Sequence, residues 1–346
     1  MNKIFLNTLL CTSLISIVGI SPVFAFHSLP LRPPIPKNNP MTPDKIELGK
    51  QLFFDSRLSS NGTVSCNSCH DVNGSGTDNR AVSVGVGAKT GGRSAPTVWN
   101  SAFLTAQFWD GRAASLEAQA KGPILNPIEM AMPNEQAVID RLASIPGYKT
   151  QFKKVFGGVD SLSYDNIAKA IAAYERTLTT PNSPFDQYLK GDKNALSSAA
   201  IRGMKQVQNL GCTNCHNGVN FAGPALTMGE GFYRKFPTYT DSDYVKTYKL
   251  EEDTGRFEVT KNEADQHMFR VPTWRNVALT APYFHNGAAK TLDEAVRVMA
   301  KTQLNTNLSE HQTTDIVAFL NSLTGEFPKQ SMPRLPATPN IGVINE

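Results

Sequence analysis

The sequence predicts an all-α protein with long irregular loops, and three observations support this fold class. Apolar residues recur at helical spacing, most clearly at Ile167, Ile171, Tyr174 and Leu178, which fall at i, i+4, i+7 and i+11. Serine and threonine residues that can cap a helix precede several of the apolar stretches. The alternation of apolar and polar residues that is typical of strands is weak throughout the chain.

The first part of the chain begins with a proline-rich arm over residues 26–40, which we expect to be extended. A helix should follow, with Thr42 as its N-cap and Pro43 as its first residue, because the N–H that proline lacks has no partner at that position. Residues 71–96 are rich in glycine and show little periodicity. They are therefore predicted to form a loop.

A helical stretch is expected to run through Gln119 and to end before the segment Pro123–Pro133, whose prolines disfavour a regular helix. Asn134–Ala143 is predicted to be a short helix. Ser163 should cap the longer amphipathic helix that contains Ile167.

The second part of the chain follows a connection over residues 179–194, where turn-forming residues cluster. Ser197 is predicted to open the next helix. Residues 221–266 combine aromatic, glycine and charged residues without a clear period, so we expect an irregular insertion. Two capping boxes predict the last helices, Thr291-x-x-Glu294 and Ser309-x-x-Gln312.

The pentapeptide Cys-x-x-Cys-His occurs twice, at Cys66–His70 and at Cys212–His216. It is the attachment signature of a c-type haem, in which both thiols add to the haem vinyl groups and the adjacent imidazole binds the iron. A redox-active cysteine pair or a zinc site is the alternative, but zinc needs more Cys or His at short spacing than this chain offers. The sequence therefore predicts two covalent haem c groups. The predicted attachment residues are Cys66, Cys69, Cys212 and Cys215, and the predicted iron ligands are His70 and His216.

The two halves also resemble each other outside these motifs. Pro96-Thr97 and Asn100 correspond in spacing to Pro272-Thr273 and Asn276. The alternative explanation is that turn-forming prolines and glycines recur at similar spacing by chance. We interpret the pattern as a duplication, and we predict two tandem cytochrome-c-like helical domains with one haem each.

Residues 26–180 are predicted to form the N-terminal domain and residues 181–330 the C-terminal domain, followed by a proline-rich tail at 331–346. Residues 1–25 are typical of a secretory signal, with a basic start, an apolar centre and small residues at the cleavage site. An uncleaved anchor is the alternative. Since haem is attached to this motif outside the cytoplasm, the expected location is the bacterial periplasm, with no membrane span after signal removal.

The composition excludes some function classes. The formal net charge of the 346 residues is +4 and there is no Lys/Arg run, so a nucleic-acid partner is not indicated. Cys11 falls in the predicted signal, and the other four cysteines are all used by haem. No disulfide is therefore predicted.

The two predicted haem sites should differ, because an iron with two protein ligands transfers electrons whereas an open iron can bind a small molecule. Met299 follows the second motif on a predicted helix and is a candidate sixth ligand, although such a methionine, taken alone, more often fills the core. Glu129 is unusual in its apolar segment and could move a proton at an open haem, although a solvated or capping role is the alternative.

Seven stretches together resemble the bacterial dihaem cytochrome c peroxidases, over nearly all of the chain after residue 25. The matching stretches are Cys66–His70, Phe108–Arg112, Gln119–Pro123, Asn126–Met130, Cys212–His216, Phe269–Pro272 and Pro282–His285.

The resemblance implies roles for named residues. The haem on His70 would be the peroxidatic one, and the haem on His216 and Met299 would receive electrons. Glu129 would be the acid–base residue and Gln119 its partner in the distal pocket. Trp109 would lie between the haems. The implied substrate is hydrogen peroxide, the implied donor a small soluble cytochrome c or cupredoxin, and the implied assembly a homodimer.

Two positions depart from the family pattern. Many members close the peroxidatic haem with a histidine of the glycine-rich loop, and here that position is Val86. We therefore expect the iron of the first haem to be open or water-bound even in the oxidised protein. Prior reduction of the other haem should then hardly be needed for activity. His27 and His267 are the histidines that could bind this iron instead.

The second departure concerns calcium, which the family binds between the domains through an Asn side chain and two carbonyls. Ser94 stands at the Asn position, while Thr280 and Pro282 could supply the carbonyls. A calcium ion is therefore a weaker expectation than the haems.

Two other functions compete with peroxide reduction. The related methylamine-utilisation dihaem enzyme oxidises residues of a partner protein, but it carries Tyr as second-haem ligand where this chain has Met299. A plain dihaem electron carrier would need both irons saturated and would have no use for Glu129.

Overall fold

The computed structural model describes residues 26–338, so the predicted signal at 1–25 and the end of the predicted tail lie outside the described residues. The described chain is mostly helical, which confirms the predicted predominance of helix. Its two three-residue strands, β1 (Tyr233–Lys235) and β2 (Met268–Arg270), pair antiparallel. The helices are α1 (Pro43–Phe54), α2 (Cys66–Cys69), α3 (Leu116–Leu125), α4 (Glu135–Ala143), α5 (Pro146–Phe156), α6 (Tyr164–Glu175), α7 (Pro184–Leu189), α8 (Ser198–Asn209), α9 (Asp243–Thr247), α10 (Phe257–Thr260), α11 (Leu292–Leu304) and α12 (Glu310–Asn321).

Capping side chains begin the longer helices as the sequence predicts. The hydroxyls of Thr42, Ser163 and Ser197 each accept a hydrogen bond from the backbone N–H three residues on. Reciprocal capping boxes are formed at Thr291 and Ser309. The predicted starts of α1, α6, α8, α11 and α12 are therefore confirmed.

The predicted end of α3 is wrong. The helix continues past Gln119 to Leu125 and contains Pro123, where a loop was expected. The preceding residue is Gly122, which has no Cβ to clash with the proline ring, and the helix ends soon afterwards, so few hydrogen bonds are lost. Helix α5 was not predicted at all, although Pro146 is well suited to its first position.

Buried apolar side chains form two main clusters that divide along the sequence. The first cluster includes residues from Leu48 to Leu178, and the second includes residues from Phe185 to Leu323. This division agrees with two helical units, while the exact domain boundaries stay a prediction.

Each cluster contains a close helix crossing through a glycine. Where α1 meets α6, a Cβ on Gly49 would lie 1.8 Å from the carbonyl oxygen of Ala170. Where α8 meets α12, a Cβ on Gly203 would lie 1.9 Å from that of Asp315. In both halves the helix before the Cys-x-x-Cys-His motif thus packs directly on the last helix of its cluster. This repeated contact supports the interpretation of the sequence as a duplication.

The predicted irregular insertion at residues 221–266 contains β1, α9 and α10 among turns and bends. It packs on the loop that precedes α3. The Tyr233 hydroxyl donates to the Gly111 carbonyl (3.3 Å), and Arg256 donates to the Asp110 carbonyl (2.8 Å). Within residues 26–338, no helix has the length and apolarity that crossing a bilayer requires.

Candidate haem sites

The first Cys-x-x-Cys-His motif is one short helix, α2, opened by a capping box between Ser65 and Ser68 and closed by His70. The His70 Nδ1 lies 3.0 Å from the carbonyl oxygen of Pro96. Because Nδ1 then carries the proton, the lone pair of Nε2 is left for a metal. Burial lowers the pKa of His70, which keeps the imidazole neutral, as an iron ligand must be.

The second motif repeats this arrangement. The Nδ1 of His216 lies 3.0 Å from the carbonyl oxygen of Phe221. Burial lowers the pKa of His216 to about 4. In both motifs burial therefore favours the neutral imidazole. A backbone carbonyl binds the Nδ1 side of each ring, which leaves Nε2 for a ligand.

The four cysteines of the two motifs form no disulfide with one another. Burial raises the pKa of Cys66, and it raises the pKa of Cys212 to about 11. Redox-active cysteine pairs have the opposite property, since their reactive thiol has a lowered pKa. The surroundings of Cys66 and Cys212 therefore do not support the redox alternative.

A deep and mostly apolar cavity opens at the second motif. Cys212, Cys215 and His216 line it, and so does Met299 on α11. The structure thus brings the candidate sixth ligand to the same cavity as the candidate fifth ligand. An apolar cavity between these side chains suits the flat, apolar ring of a haem.

Two buried polar side chains of this cavity have unused hydrogen-bonding capacity. Arg270 is 4% exposed and donates to the carbonyls of Phe108 and Val271 (both 3.0 Å), with no carboxylate at ion-pair distance among the described residues. The Nε2 of His285, which is 2% exposed, has no hydrogen-bond partner within residues 26–338. An unpaired buried cation is costly, so the cavity suits a guest that carries negative charge. The two carboxylates of a haem provide that charge, and the residues therefore fit the group.

Sequence reasoning did not assign a role to Arg270 or His285. Both fall in stretches used only for the family resemblance, Phe269–Pro272 and Pro282–His285. The signal that they are functional is a lack of partners, which only the structure reveals.

Trp109 lies at the boundary between the two halves. Its indole lines the cavity of the second motif and donates from Nε1 to the Ser94 carbonyl (2.9 Å), while its own carbonyl accepts from the Arg270 N–H (2.7 Å). The three candidate calcium residues, Ser94, Thr280 and Pro282, line the same cavity. The Ser94 hydroxyl donates to the Arg80 carbonyl (3.3 Å).

Glu129 is half-buried in the turn after α3, and its carboxylate accepts a hydrogen bond from the Asn126 amide (2.6 Å). Burial raises the pKa of Glu129, and the Asn126 bond and the charge of Arg112 offset part of that rise. The next residue, Met130, is buried in the first apolar cluster, and Cys66 packs against the same cluster. The candidate acid therefore lies on the side of the cluster that carries the first motif.

Val86 is a direct neighbour of this acid. Its N–H donates to the Glu129 carbonyl (2.8 Å), and its side chain packs against the first apolar cluster. Gln119 lies half-buried on α3. The structure thus places a valine in the loop beside Glu129, where the resemblance led us to look for a histidine.

The possible stand-in ligands lie beside residues of the second half. His27 is exposed and its carbonyl accepts from Arg275 (3.3 Å). The Nδ1 of His267 is 3.0 Å from the Asp253 carbonyl oxygen. Neither arrangement supports the idea that these histidines replace a ligand at the first motif.

Comparisons with known proteins agree with this geometry. The family model described as di-haem cytochrome c peroxidase matches residues 43–194. The chain is 47% identical to the cytochrome c551 peroxidase of Nitrosomonas europaea, covering 89% of this chain and 88% of that protein. It is 46% identical to the cytochrome c551 peroxidase of Pseudomonas aeruginosa, covering 87% and 85%.

A more distant relative is the methylamine utilization protein MauG of Methylorubrum extorquens, 34% identical over 88% of this chain and 84% of that protein. Among solved structures, a MauG-like protein associated with microbial copper homeostasis superposes with a TM-score of 0.75 at 28% identity, covering 90% of this chain and 96% of that one. A di-haem family implies two haem c groups, which agrees with the two motifs described above. With these identities over most of its length, the chain belongs to the di-haem cytochrome c peroxidase family.

Proposed function

We propose that the protein is a periplasmic peroxidase that reduces hydrogen peroxide to two waters with electrons from a small soluble cytochrome c or cupredoxin. The observation that carries this proposal is Glu129, a half-buried acid whose neighbour Met130 lies in the apolar cluster against which Cys66 of the first motif packs. The relatives named cytochrome c551 peroxidase support the same activity. When bound, the two haems supply the redox chemistry and the iron to which peroxide binds.

The chain's own contribution at the first site is proton transfer. Glu129 takes a proton from one oxygen of peroxide and delivers it to the other, so that the departing oxygen leaves as water. The Asn126 amide holds the carboxylate by one oxygen and leaves the other to face the substrate. The adjoining Val86 and the apolar cluster limit access of water, and Gln119 on the neighbouring helix would complete the distal pocket.

The second site has the opposite task. His216 and Met299 line one cavity and would both bind its iron, which would restrict that haem to electron transfer. Trp109 reaches from the first half into the wall of this cavity. We therefore assign it to the region through which electrons pass between the haems.

Val86 makes the first site different from that of many relatives. Valine cannot bind iron, and its backbone holds it next to Glu129. We therefore propose that the first iron keeps a position free for peroxide even in the fully oxidised protein, so that activation by prior reduction is largely unnecessary.

The central experiment is Glu129→Gln in the haem-loaded protein. Glutamine has the same shape but cannot exchange a proton at neutral pH, so we expect peroxide turnover to fall by about 10²–10⁴-fold, the usual contribution of a general acid–base group. Haem content should not change. Glu135→Gln, at an exposed carboxylate in the first turn of α4, is the matched control. Wild-type turnover in Glu129→Gln would remove this residue from the mechanism.

Oxidation of a partner protein is the second candidate, since two relatives are named methylamine utilization protein MauG. Met299 in the cavity of the second motif argues against it. A plain electron carrier is the third. Cyanide binding to the fully oxidised protein distinguishes it from an enzyme, because a carrier with two saturated irons would not change its spectrum.

We also propose one calcium ion near Ser94, held mainly by the carbonyls of Thr280 and Pro282, and a homodimeric assembly. The support for the ion is that these three residues line one cavity, and the support for the dimer is the family resemblance. Metal analysis before and after chelation tests the ion, and sedimentation in the same samples tests the dimer. Full activity and an unchanged mass after complete calcium removal would show that neither depends on the ion.

A further inference from the structure

The imidazole of His216 is held from two directions. A hydrogen bond joins its Nδ1 to the Phe221 carbonyl (3.0 Å). The indole of Trp274 lies flat against the ring, with centroids 4.3 Å apart and an interplanar angle of 18°. Trp274 also stacks on the ring of Phe221, at 5.6 Å and 23°, so that one aromatic stack contains the histidine and the residue that supplies its hydrogen bond.

Three features show that this stack is built into the fold. Phe221 is fully buried and adopts a positive φ of 52°, a conformation that non-glycine residues adopt only where the surroundings impose it. Phe319 on α12 packs edge-on against Trp274, with centroids 6.5 Å apart. Trp274 itself lines the cavity of the second motif, beside His216. The indole therefore separates the imidazole from the second apolar cluster and faces the place where the haem would lie.

The first motif has the hydrogen bond but not the stack. His70 Nδ1 faces the Pro96 carbonyl at 3.0 Å, just as His216 faces that of Phe221. By the correspondence of Pro96-Thr97 with Pro272-Thr273, the position equivalent to Trp274 is Val98. Among the aromatic pairs of residues 26–338, none includes His70. The two histidines thus differ in the neighbour at this matched position. They also differ in the carbonyl that faces Nδ1, because Pro96 corresponds to Pro272 and not to Phe221.

We propose that Trp274 is a positioning residue for the second haem: it fixes the plane of the His216 imidazole and raises the reduction potential of that haem. This rests on the proposed role of His216 as iron ligand. The indole replaces water on one side of the ligand, and a less polar surrounding disfavours the oxidised iron, which carries one more positive charge. Orientation of a ligand by a residue that does not touch the metal is a general way to tune a metal site.

The test uses the haem-loaded protein and does not involve peroxide. At a fixed solution potential, we expect Trp274→Leu to lower the ratio of reduced to oxidised second haem about tenfold. This corresponds to a reduction potential about 59 mV lower for a one-electron couple. The low-spin EPR signal of the oxidised second haem should shift or broaden, because it depends on the plane of the axial imidazole. Trp274→Phe, which keeps a smaller ring in the stack, should fall between wild type and Trp274→Leu.

Tyr188→Leu is the matched control, since it removes an aromatic ring that packs against the same cluster and forms no aromatic pair with His216, Trp274 or Phe221 among the described residues. It should leave the potential and EPR signal of the second haem unchanged. Wild-type values in Trp274→Leu, or an equal shift in Tyr188→Leu, would overturn the proposal. If Trp274→Leu does not retain the second haem, the measurement is made on Trp274→Phe. Wild-type values of the potential and of the EPR signal in Trp274→Phe would then overturn the proposal. Since no turnover is measured, a failure here leaves the role of Glu129 intact.

Discussion

Val86 connects the glycine-rich loop to the candidate acid through a single backbone hydrogen bond, from its N–H to the Glu129 carbonyl. The same hydrogen bond would hold the backbone of a histidine introduced at this position beside Glu129. We expect Val86→His to make the first haem six-coordinate and low-spin in the fully oxidised protein and to lower its initial peroxide turnover at least tenfold. Reduction of the second haem should restore much of the activity.

The measurement is EPR of the fully oxidised and half-reduced protein, together with turnover started from each state. Val159→His, at a residue that is 97% exposed, controls for the added imidazole. If both irons of the unmodified oxidised protein are already low-spin with two protein ligands each, the proposal that Val86 leaves the first site open is contradicted.

Asn126 sets the charge state of Glu129. Burial raises the pKa of that carboxyl, and the Asn126 hydrogen bond favours the ionised form and offsets part of the rise. Because Glu129 must be ionised to accept a proton, activity is present above its pKa and is lost as the pH falls through it. Asn126→Leu removes the bond, so the pKa rises further.

We therefore expect the acidic limb of the profile of kcat/KM against pH to move upward in Asn126→Leu. The hydrogen bond stabilises the ionised form of Glu129, and this variant loses it. Asn194→Leu, in an exposed turn, should leave the limb in place. An acidic limb that does not move in Asn126→Leu would mean that ionisation of Glu129 does not control it.

At the residue scale, the sequence predicts what depends on spacing. The cysteines and histidines of both motifs follow from Cys-x-x-Cys-His alone. Met299 is only a candidate by its place on a helix, and its assignment depends on the family resemblance. Residues such as Arg270 and His285 could not be predicted, because what marks them is a missing partner in a buried cavity. Hydrogen-bond partners are set by the tertiary fold and leave no local pattern.

At the scale of helices, the starts were more predictable than the ends. A cap such as Ser163 acts on backbone N–H groups a few residues away, so the sequence contains the whole interaction. The end of α3 depends on whether Pro123 is tolerated, which Gly122 and the nearby helix end decide together. Helix α5 has its capping information in Pro146, which also fits a loop, so it was missed.

The crossing of α8 and α12 gives a prediction at this scale. A Cβ on Gly203 would lie 1.9 Å from the Asp315 carbonyl oxygen, so the two helices would have to separate. Overpacking costs about 1–3 kcal/mol, while the better helix propensity of alanine returns about 1 kcal/mol. Because the contact is with rigid backbone, we expect strain to win and Gly203→Ala to lower the free energy of unfolding by about 1–2 kcal/mol.

Denaturant unfolding of the haem-loaded protein measures this change. Gly92→Ala is the control, because a Cβ there would meet nothing within 4 Å. Equal stability of Gly203→Ala and Gly92→Ala would mean that the helix pair can repack without cost.

For the whole molecule, the sequence predicts a duplication, but it does not predict how the two halves contact each other. Matching Pro-Thr and Asn positions predict two similar units, and the two glycine crossings agree with that interpretation. The insertion at 221–266 has no counterpart in the first half, so no internal comparison shows where it packs. In the structure it lies on the loop before α3, where Tyr233 and Arg256 reach the carbonyls of Gly111 and Asp110.

Arg93 is the strongest ionic link between these parts. Its guanidinium binds Asp110 of the same half (2.5 Å), and Asp253 (2.6 Å) and Glu258 (3.1 Å) of the insertion. Burial alone would raise the pKa of Asp253, but the hydrogen bonds and charge of Arg93 outweigh it and hold that pKa below its usual value. Both Asp110 and Asp253 are largely buried, so loss of the arginine would leave them without part of their compensation.

We expect Arg93→Leu to lower the free energy of unfolding by about 2 kcal/mol, the typical contribution of hydrogen bonds to charged groups. The insertion should also detach more readily from the loop that carries Trp109, which slows electron transfer between the haems. Calorimetry and stopped-flow reduction of the two haems measure these effects. Arg297→Leu breaks an ion pair with the exposed Glu310 and should cost less than about 1 kcal/mol. Equal losses in both variants would show that Arg93 is an ordinary surface residue, since only a buried link between the halves accounts for a difference.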